Sequence, residues 1–123
     1  MNNDRRRYSI VPFWTLPLIK TGRDWRVLAA IGAHASPLGI LYASQDTLGD
    51  LIGMDQAHVS RAVKSLYEME VIRLLQPKGA KHSKAWQRSN RMQLCYDGPR
   101  SQQPMPSAKE IELAYGHRTG RWS

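Results

Sequence analysis

The chain has 123 residues, of which 41% are hydrophobic and 23% are charged. This length and apolar content exclude a wholly disordered chain and predict one domain with a single core. Lysine and arginine outnumber aspartate and glutamate by 18 to 10, so the net charge of +8 favours an anionic partner, nucleic acid first and an acidic membrane surface second.

The distribution of cysteine, histidine and apolar residues excludes several other classes of protein. Cys95 is the single cysteine, which rules out an internal disulfide and fits a reducing cytoplasm. The four histidines are at least 24 positions apart, so none forms a helical metal-binding pair, and we expect no metal or other cofactor. The most apolar early stretch, residues 8–19, is too short to cross a membrane. We therefore expect a cytoplasmic protein without membrane contact and without a small-molecule ligand.

Residues 1–22 are predicted to form a flexible basic arm followed by an extended apolar segment. The arm has little apolar surface to offset the entropy of ordering, and its charge comes from Arg5, Arg6 and Arg7. Two prolines disfavour a helix in residues 8–19. We expect this segment to lie extended over the core, where Phe13 and Trp14 hold it.

Three helices and one short strand are predicted over residues 24–69. Helical periodicity favours a first helix over 24–35, and the apolar run 40–42 favours a strand. Ser44 is placed to cap a second helix, in which Leu48, Leu51 and Ile52 share one face. Gly53 suits the left-handed turn that ends it.

The third helix, at about residues 56–69, is predicted to have one apolar and one basic face. Asp55 precedes it in the position of an N-cap. The apolar face consists of Val59, Ala62, Val63 and Leu66. The opposite face consists of Ala57, Arg61, Lys64 and Ser65.

Two antiparallel strands are predicted after the helices, at residues 71–76 and 91–96. In the second strand Met92, Leu94 and Tyr96 alternate with Arg91, Gln93 and Cys95. The long connection between the strands is polar and contains Lys78, Lys81, Lys84, Trp86 and Arg88. Residues 71–96 contain no acidic side chain and, with Arg73 and Arg91 in the strands, carry six of the eight net positive charges. Positive charge is therefore concentrated in this predicted hairpin.

Residues 97–123 are predicted to form a linker and a short C-terminal helix. The stretch 97–106 is rich in Pro, Gly, Ser and Gln, which is typical of a linker. Ser107 and Glu110 have the spacing of a capping box, and Gly116 suits the end of a helix of about eight residues. So short a helix is marginal alone and needs a surface of its own or of another protomer.

The segment from Gln45 to Leu66 carries the most specific pattern. Two short helices are separated by a glycine turn, and Gly49 supplies the small side chain that closely crossing helices require. The chain here resembles the winged helix-turn-helix family, found in small bacterial repressors and in plasmid and phage replication initiators. The resemblance covers about residues 23–96 and rests on Ser44, Leu48, Gly53, Val59, Ser60, Arg61, Leu66, Val71 and Ile72. One departure is the stretch from Glu68 to Glu70, where the family usually has a glycine.

The resemblance implies an α+β fold with a three-helix core, a short strand and a long basic β-hairpin, the wing. It also implies binding of double-stranded DNA, with the third helix in the major groove. The base contacts implied are Gln56, Ala57 and Arg61, and the phosphate contacts are Ser44, His58, Ser60 and Lys64. The wing would add Lys78, Lys81, Lys84 and Arg88, and the arm of Arg5, Arg6 and Arg7 either enters a minor groove or has no role. Trp86 either stacks on a base or folds back on the hairpin.

Several functions are consistent with the fold and contacts that the resemblance implies. A repressor would bind a palindromic site as a homodimer, whereas a replication or partition factor would cover direct repeats. A third alternative is a protein-interaction module for an acidic partner. We expect no enzyme, since no nucleophile stands beside a base and no phosphate loop occurs. Residues 8–19 and the C-terminal helix are the candidate dimer surfaces.

Overall fold

The computed structural model describes residues 7–75 and 91–116, which form four α-helices and a three-stranded antiparallel sheet. In chain order the elements are α1 (Gly22–His34), β1 (Ile40–Tyr42), α2 (Gln45–Ile52), α3 (Gln56–Glu68), β2 (Ile72–Leu74), β3 (Arg91–Leu94) and α4 (Ala108–Gly116). Short 3-10 helices occur at Phe13–Thr15 and Arg100–Gln102. This α+β layout is compatible with a winged-helix arrangement.

The predicted starts of α2 and α3 and the predicted end of α2 are confirmed by their caps, whereas α1 begins at Gly22, two residues before the predicted start, because Thr21 caps it. The side chain of Ser44 accepts from the Thr47 N–H at 3.0 Å, and that of Asp55 accepts from the His58 N–H at 2.9 Å. Gly53 ends α2 at a φ of 67°, a left-handed conformation that glycine adopts without steric cost. Each cap involves residues within three or four positions of one another, so it can be predicted from the local sequence.

The three N-terminal helices enclose the main core. The apolar face predicted for α3 is confirmed, since Val59, Ala62, Val63 and Leu66 are all 0% exposed. A Cβ atom on Gly49 would overlap the Met54 carbonyl oxygen and press on Val59, so only glycine permits this approach of α2 to α3. The prediction for Leu51 is wrong: its side chain is 54% exposed, because the α2 face that packs on α1 and α3 is centred on Leu48 and Gly49.

The sheet is buried on both faces. β3 lies in the centre, with β1 on one side and β2 on the other. Met92 and Leu94 face the helical core, as predicted, but Gln93 and Cys95 on the opposite face are also buried. The residues that follow the sheet cover that second face, where Ile40 packs in a small cluster with Leu75, Ile111 and Ala114.

Residues 97–107, here called the C-terminal segment, pack on the sheet, so the prediction of a linker at residues 97–106 is wrong. The Arg73 guanidinium donates to three of their backbone carbonyls, those of Arg100, Gln103 and Pro104, at 2.8, 2.6 and 3.1 Å. The Arg100 guanidinium in turn donates to the Tyr67 and Ile72 carbonyls at 2.7 and 3.0 Å. The segment therefore joins the end of α3 to β2.

The C-terminal helix α4 begins with the predicted capping box. The Ser107 N–H donates to the Glu110 carboxylate at 2.8 Å, and the Glu110 N–H donates to the Ser107 hydroxyl at 3.1 Å. The helix packs through Ile111 and Ala114 on Ile40 of β1. The surface that so short a helix requires is thus supplied by its own chain.

The turn between α3 and β2 places Glu70 where the resemblance leads one to expect glycine. Glu70 has a φ of 64°, and the Glu70 and Val71 N–H groups donate back to the Tyr67 and Leu66 carbonyls. A side chain in this conformation costs about 1–2 kcal/mol. Ser101 donates to the Glu70 carboxylate from its hydroxyl and its N–H, which holds the pKa of Glu70 below its ordinary value. These contacts hold the Glu70 side chain against the C-terminal segment.

Residues 7–21, here called the N-terminal segment, cross α1 and the end of the sheet. The Trp14 indole N–H donates to the Cys95 carbonyl at 2.8 Å, so its predicted anchoring role is confirmed. Phe13, predicted to share that role, is 84% exposed. The 3-10 helix that begins at Phe13 turns successive side chains by about 120°, so Trp14 and Phe13 cannot both face the core.

Gly49 supplies the first test. Gly49→Ala places a methyl group against the Met54 carbonyl, and we expect the free energy of unfolding to fall by about 1–3 kcal/mol in urea denaturation. Gly22→Ala is the matched control, because a Cβ there has nothing within 4 Å and the residue opens α1. Equal stability of the two variants would contradict the packing role of Gly49.

Candidate nucleic-acid interface

The outward face of α3 is a stripe of side chains one helical turn apart. Ala57, Arg61, Lys64 and Glu68 are all exposed, opposite the buried face of the helix. No salt bridge joins Arg61 to an acidic side chain within residues 7–75 and 91–116. Arg61 therefore presents its guanidinium to solvent from the middle of a helix that is fixed to the core along its opposite side.

Charge along this stripe is asymmetric. Arg61 and Lys64 are cationic, and Glu68 is the last residue of the helix. The dipole of the helix adds positive potential at its N-terminal end. Arg61 and Lys64 therefore favour an anionic partner along the middle of α3, between the carboxylate of Asp55 at the N-cap and that of Glu68 at the last residue.

Gln56, predicted to contact a base, lies beside Gln45, for which the sequence predicts no functional role. Its side-chain Nε2 donates to the Oε1 atom of Gln45 at 2.8 Å. Gln45 is the first residue of α2 and is 5% exposed, whereas Gln56 is the first residue of α3 and is exposed. The two are 11 positions apart, and only the crossing of α2 and α3 brings their side chains together.

The other predicted phosphate contacts differ in how they are placed. The Ser44 hydroxyl caps α2 and also lies 2.9 Å from the Thr47 hydroxyl, so it is used within the helix. His58 is exposed, and its Nδ1 lies 2.7 Å from the Asp55 carboxylate. Ser60 is half-buried at one edge of the outward stripe. Ser60 and Lys64 thus lie on the side of α3 that carries Arg61, whereas the Ser44 hydroxyl serves as a helix cap and the His58 ring is paired with Asp55.

Ser65 does not belong to the outward face. Its hydroxyl donates to the Asp24 carboxylate at 2.8 Å, and the Arg23 Nε donates to the other oxygen of that carboxylate at 3.0 Å. Asp24 is 3% exposed, and a buried carboxylate requires such partners. This contact, 41 positions long in sequence, fixes α3 against α1. The only hint in the sequence is that Asp24 is the single acidic residue of a helix whose other charged side chains are basic.

The arginines of the predicted hairpin differ in the contacts that their side chains make. Arg73 is occupied by the C-terminal segment and the Gln93 side chain, so its predicted contribution to a basic surface is wrong. Arg91 lies over the Tyr42 ring at 6.0 Å. Arg7 is exposed. The predictions for Lys78, Lys81, Lys84, Trp86, Arg88, Arg5 and Arg6 lie outside the described residues.

A cleft of about 550 Å³ lies beside the N-terminal end of α3. Arg23, Arg26 and His58 line it, together with the turn that joins α2 to α3. The Arg26 guanidinium donates to the Ile52 carbonyl and so supports the C-terminal end of α2. The cleft adds cationic side chains at one edge of the α3 surface.

Within residues 7–75 and 91–116, no group of three or more His, Cys, Asp or Glu side chains is arranged to hold a metal ion. None of the helices described there has the length and apolar character needed to cross a membrane. Comparisons with protein-family models, curated proteins and solved structures gave no match. The geometry of α3 is therefore the basis for a functional proposal.

The Asp55 cap supplies a pH-dependent test. Hydrogen bonds from the His58 N–H and ring hold the pKa of Asp55 below its ordinary value. The stability that this cap provides is therefore complete above the pKa of an unfolded aspartate, near 4, and is lost as the pH falls through the lowered folded pKa. We expect Asp55→Asn to be less stable than the wild type at pH 7, with a difference that shrinks in urea denaturation between pH 5 and pH 2.

The matched control is Asp50→Asn. Asp50 is exposed on α2, and its carboxylate makes no hydrogen bond or salt bridge with the described residues, so this change should leave the pH dependence as in the wild type. A gap between Asp55→Asn and the wild type that stays constant with pH would contradict a role for the Asp55 charge.

Proposed function

We propose that the protein binds double-stranded DNA in a sequence-specific manner, with α3 in the major groove, as a dimeric transcriptional regulator of the winged-helix type. The observation that carries this proposal is the exposed Arg61, projecting from a helix whose opposite face is wholly buried. Arginine is the most frequent side chain to read guanine, because its two N–H groups match the O6 and N7 atoms.

The dimensions of α3 agree with this proposal. Its 13 residues correspond to a length of about 20 Å and a width of 10–12 Å, which the major groove accepts. Gln56, Ala57 and Arg61 occupy the first half of the helix and would face base edges. Ser60 and Lys64 border them and would contact phosphates, which set the register without reading sequence.

The arrangement around α3 supports the winged-helix part of the proposal. β2 and β3 pair antiparallel, and the segment that connects them carries Lys78, Lys81, Lys84 and Arg88. We propose that these side chains neutralise phosphates beside the major groove. With about five phosphates neutralised per protomer, log affinity should fall with log salt at a slope of about −4.5.

The dimer contact is assigned to the N-terminal segment. Of the two candidate surfaces, α4 already packs on β1 of its own chain. The N-terminal segment instead exposes several large apolar side chains, and such patches mark interaction surfaces. They are Tyr8, Ile10 and Phe13, which are 63, 50 and 84% exposed, with Leu16 and Leu18 at 39 and 38%.

The DNA contact is tested by two cationic positions on one helix. A duplex is first selected from a random-sequence pool with the wild type, and each base pair is then replaced in turn. Arg61→Ala should cost about 1–3 kcal/mol on the selected duplex and relax the preference at one position. Lys64→Ala should weaken all duplexes alike and reduce the magnitude of the salt slope by about 1, measured by fluorescence anisotropy.

Lys109→Ala is the control, because this exposed lysine lies on α4, behind the sheet. It removes the same charge and should leave affinity and salt slope near the wild-type values. An equal loss for Arg61→Ala on selected and random duplexes would contradict base reading by α3. Tight binding to acidic protein with indifference to DNA would favour the interaction-module alternative.

The dimer is tested with Phe13→Asp, whose exposed side chain should tolerate a charge without unfolding. We expect sedimentation equilibrium to show a dimer for the wild type and a monomer for this variant. Leu113→Asp, a 59% exposed position on α4, is the control and should stay dimeric.

Footprints of the wild type should show paired half-sites about 34 Å apart or a multiple of that distance. A monomer that covers direct repeats would favour the replication or partition alternative.

A further inference from the structure

We propose that Gln45 is a positioning residue that orients the side-chain amide of Gln56 and thereby makes the DNA-binding surface prefer adenine over guanine at one base pair. The inference rests on the proposed function and deepens it by naming a determinant of sequence specificity. The observation that carries it is the hydrogen bond from Gln56 Nε2 to Gln45 Oε1 at 2.8 Å.

Both glutamines stand on backbone that is held in place. Gln45 is the first residue of α2, next to the Ser44 cap, and Gln56 is the first residue of α3, next to the Asp55 cap. The turn between the two helices is fixed by the close approach at Gly49. The contact therefore joins two rigid helix starts, and only the exposed amide of Gln56 has freedom that the bond can remove.

The direction of the bond determines what Gln56 presents outward. A glutamine amide has two N–H donors and one carbonyl acceptor. Gln45 Oε1 is an acceptor and takes one of the two Nε2 protons. Gln56 thus keeps one N–H donor and its Oε1 acceptor for a partner outside the protein. The two are adjacent when the proton donated to Gln45 is the one trans to Oε1.

Among the purines, this donor and acceptor pair matches adenine. In the major groove adenine offers the N7 acceptor and the N6 donor, whereas guanine offers two acceptors, N7 and O6. The Gln56 amide in its observed orientation pairs with both adenine atoms but sets Oε1 against an acceptor of guanine. Without Gln45, both Nε2 protons become available to guanine, and the side chain must also be ordered on binding.

The experiment compares two substitutions of Gln45 that differ in the acceptor. Gln45→Met has similar length and no carbonyl acceptor, whereas Gln45→Glu keeps an oxygen for Gln56 Nε2. On the duplex selected by the wild type, Gln56→Ala first identifies the position that Gln56 reads. We expect the wild type to prefer adenine over guanine there by about 5- to 100-fold. Gln45→Met should reduce that ratio to below about 3-fold, and Gln45→Glu should retain most of it.

The adenine-to-guanine ratio separates positioning from a structural role. A variant that only loosens the fold would lower affinity for every duplex by the same factor and leave the ratio unchanged. The preference at the position read by Arg61 serves as an internal control and should persist in Gln45→Met. Circular dichroism and thermal unfolding verify that both variants are folded at the assay temperature.

Two outcomes would overturn the inference. If Gln45→Met preserves the adenine preference, or alters all positions equally, Gln45 does not position Gln56, while DNA binding itself stands. If the wild type selects no duplex from the pool, both this inference and the proposed function fail. Loss of the preference in Gln45→Met with retention in Gln45→Glu is the supporting result.

Discussion

The close approach of α2 to α3 at Gly49 is the constraint on which the arrangement of the outward surface depends. With no side chain at Gly49, the Met54 carbonyl and Val59 lie against the α2 backbone, and the two helix starts come within hydrogen-bond distance through Gln45 and Gln56. The buried Asp24 then ties the opposite edge of α3 to α1 through Ser65. Helix α3 is thus held from both sides, and its remaining face is turned to solvent.

Much of the fold was predictable, because it depends on local chemistry. The caps at Ser44 and Asp55, the left-handed Gly53 and the helical spacing in α3 each involve residues within one or two turns of one another. Arg61 could be placed on the exposed side of α3 for the same reason. The capping box at Ser107 was likewise recognisable, although the surface that receives α4 was not.

The errors concern contacts between residues far apart in sequence. Arg73 was counted with the basic surface, yet it donates to carbonyls 27 to 31 positions later, and a count of charges does not distinguish a solvated arginine from one that supports a loop. The polar composition of residues 97–106 predicts a linker, because composition does not reveal that backbone carbonyls in this stretch accept hydrogen bonds from Arg73. Phe13 and Leu51 show the converse error, in which apolar character alone suggested burial.

The C-terminal segment fixes the orientation of α3 relative to β2, although the segment and the proposed DNA-binding interface lie on opposite sides of the sheet. Arg100 stacks 4.0 Å over the Tyr67 ring of α3 and also donates to the Ile72 carbonyl of β2. Because Ser101 holds the unfavourable turn at Glu70 between these two elements, the base of the β2–β3 hairpin and the end of α3 keep one relative orientation. A helix and a hairpin that must contact one duplex together require this, since independent movement would add an ordering cost to each contact. The C-terminal segment, predicted to be a linker, therefore helps to align the two proposed DNA-binding elements.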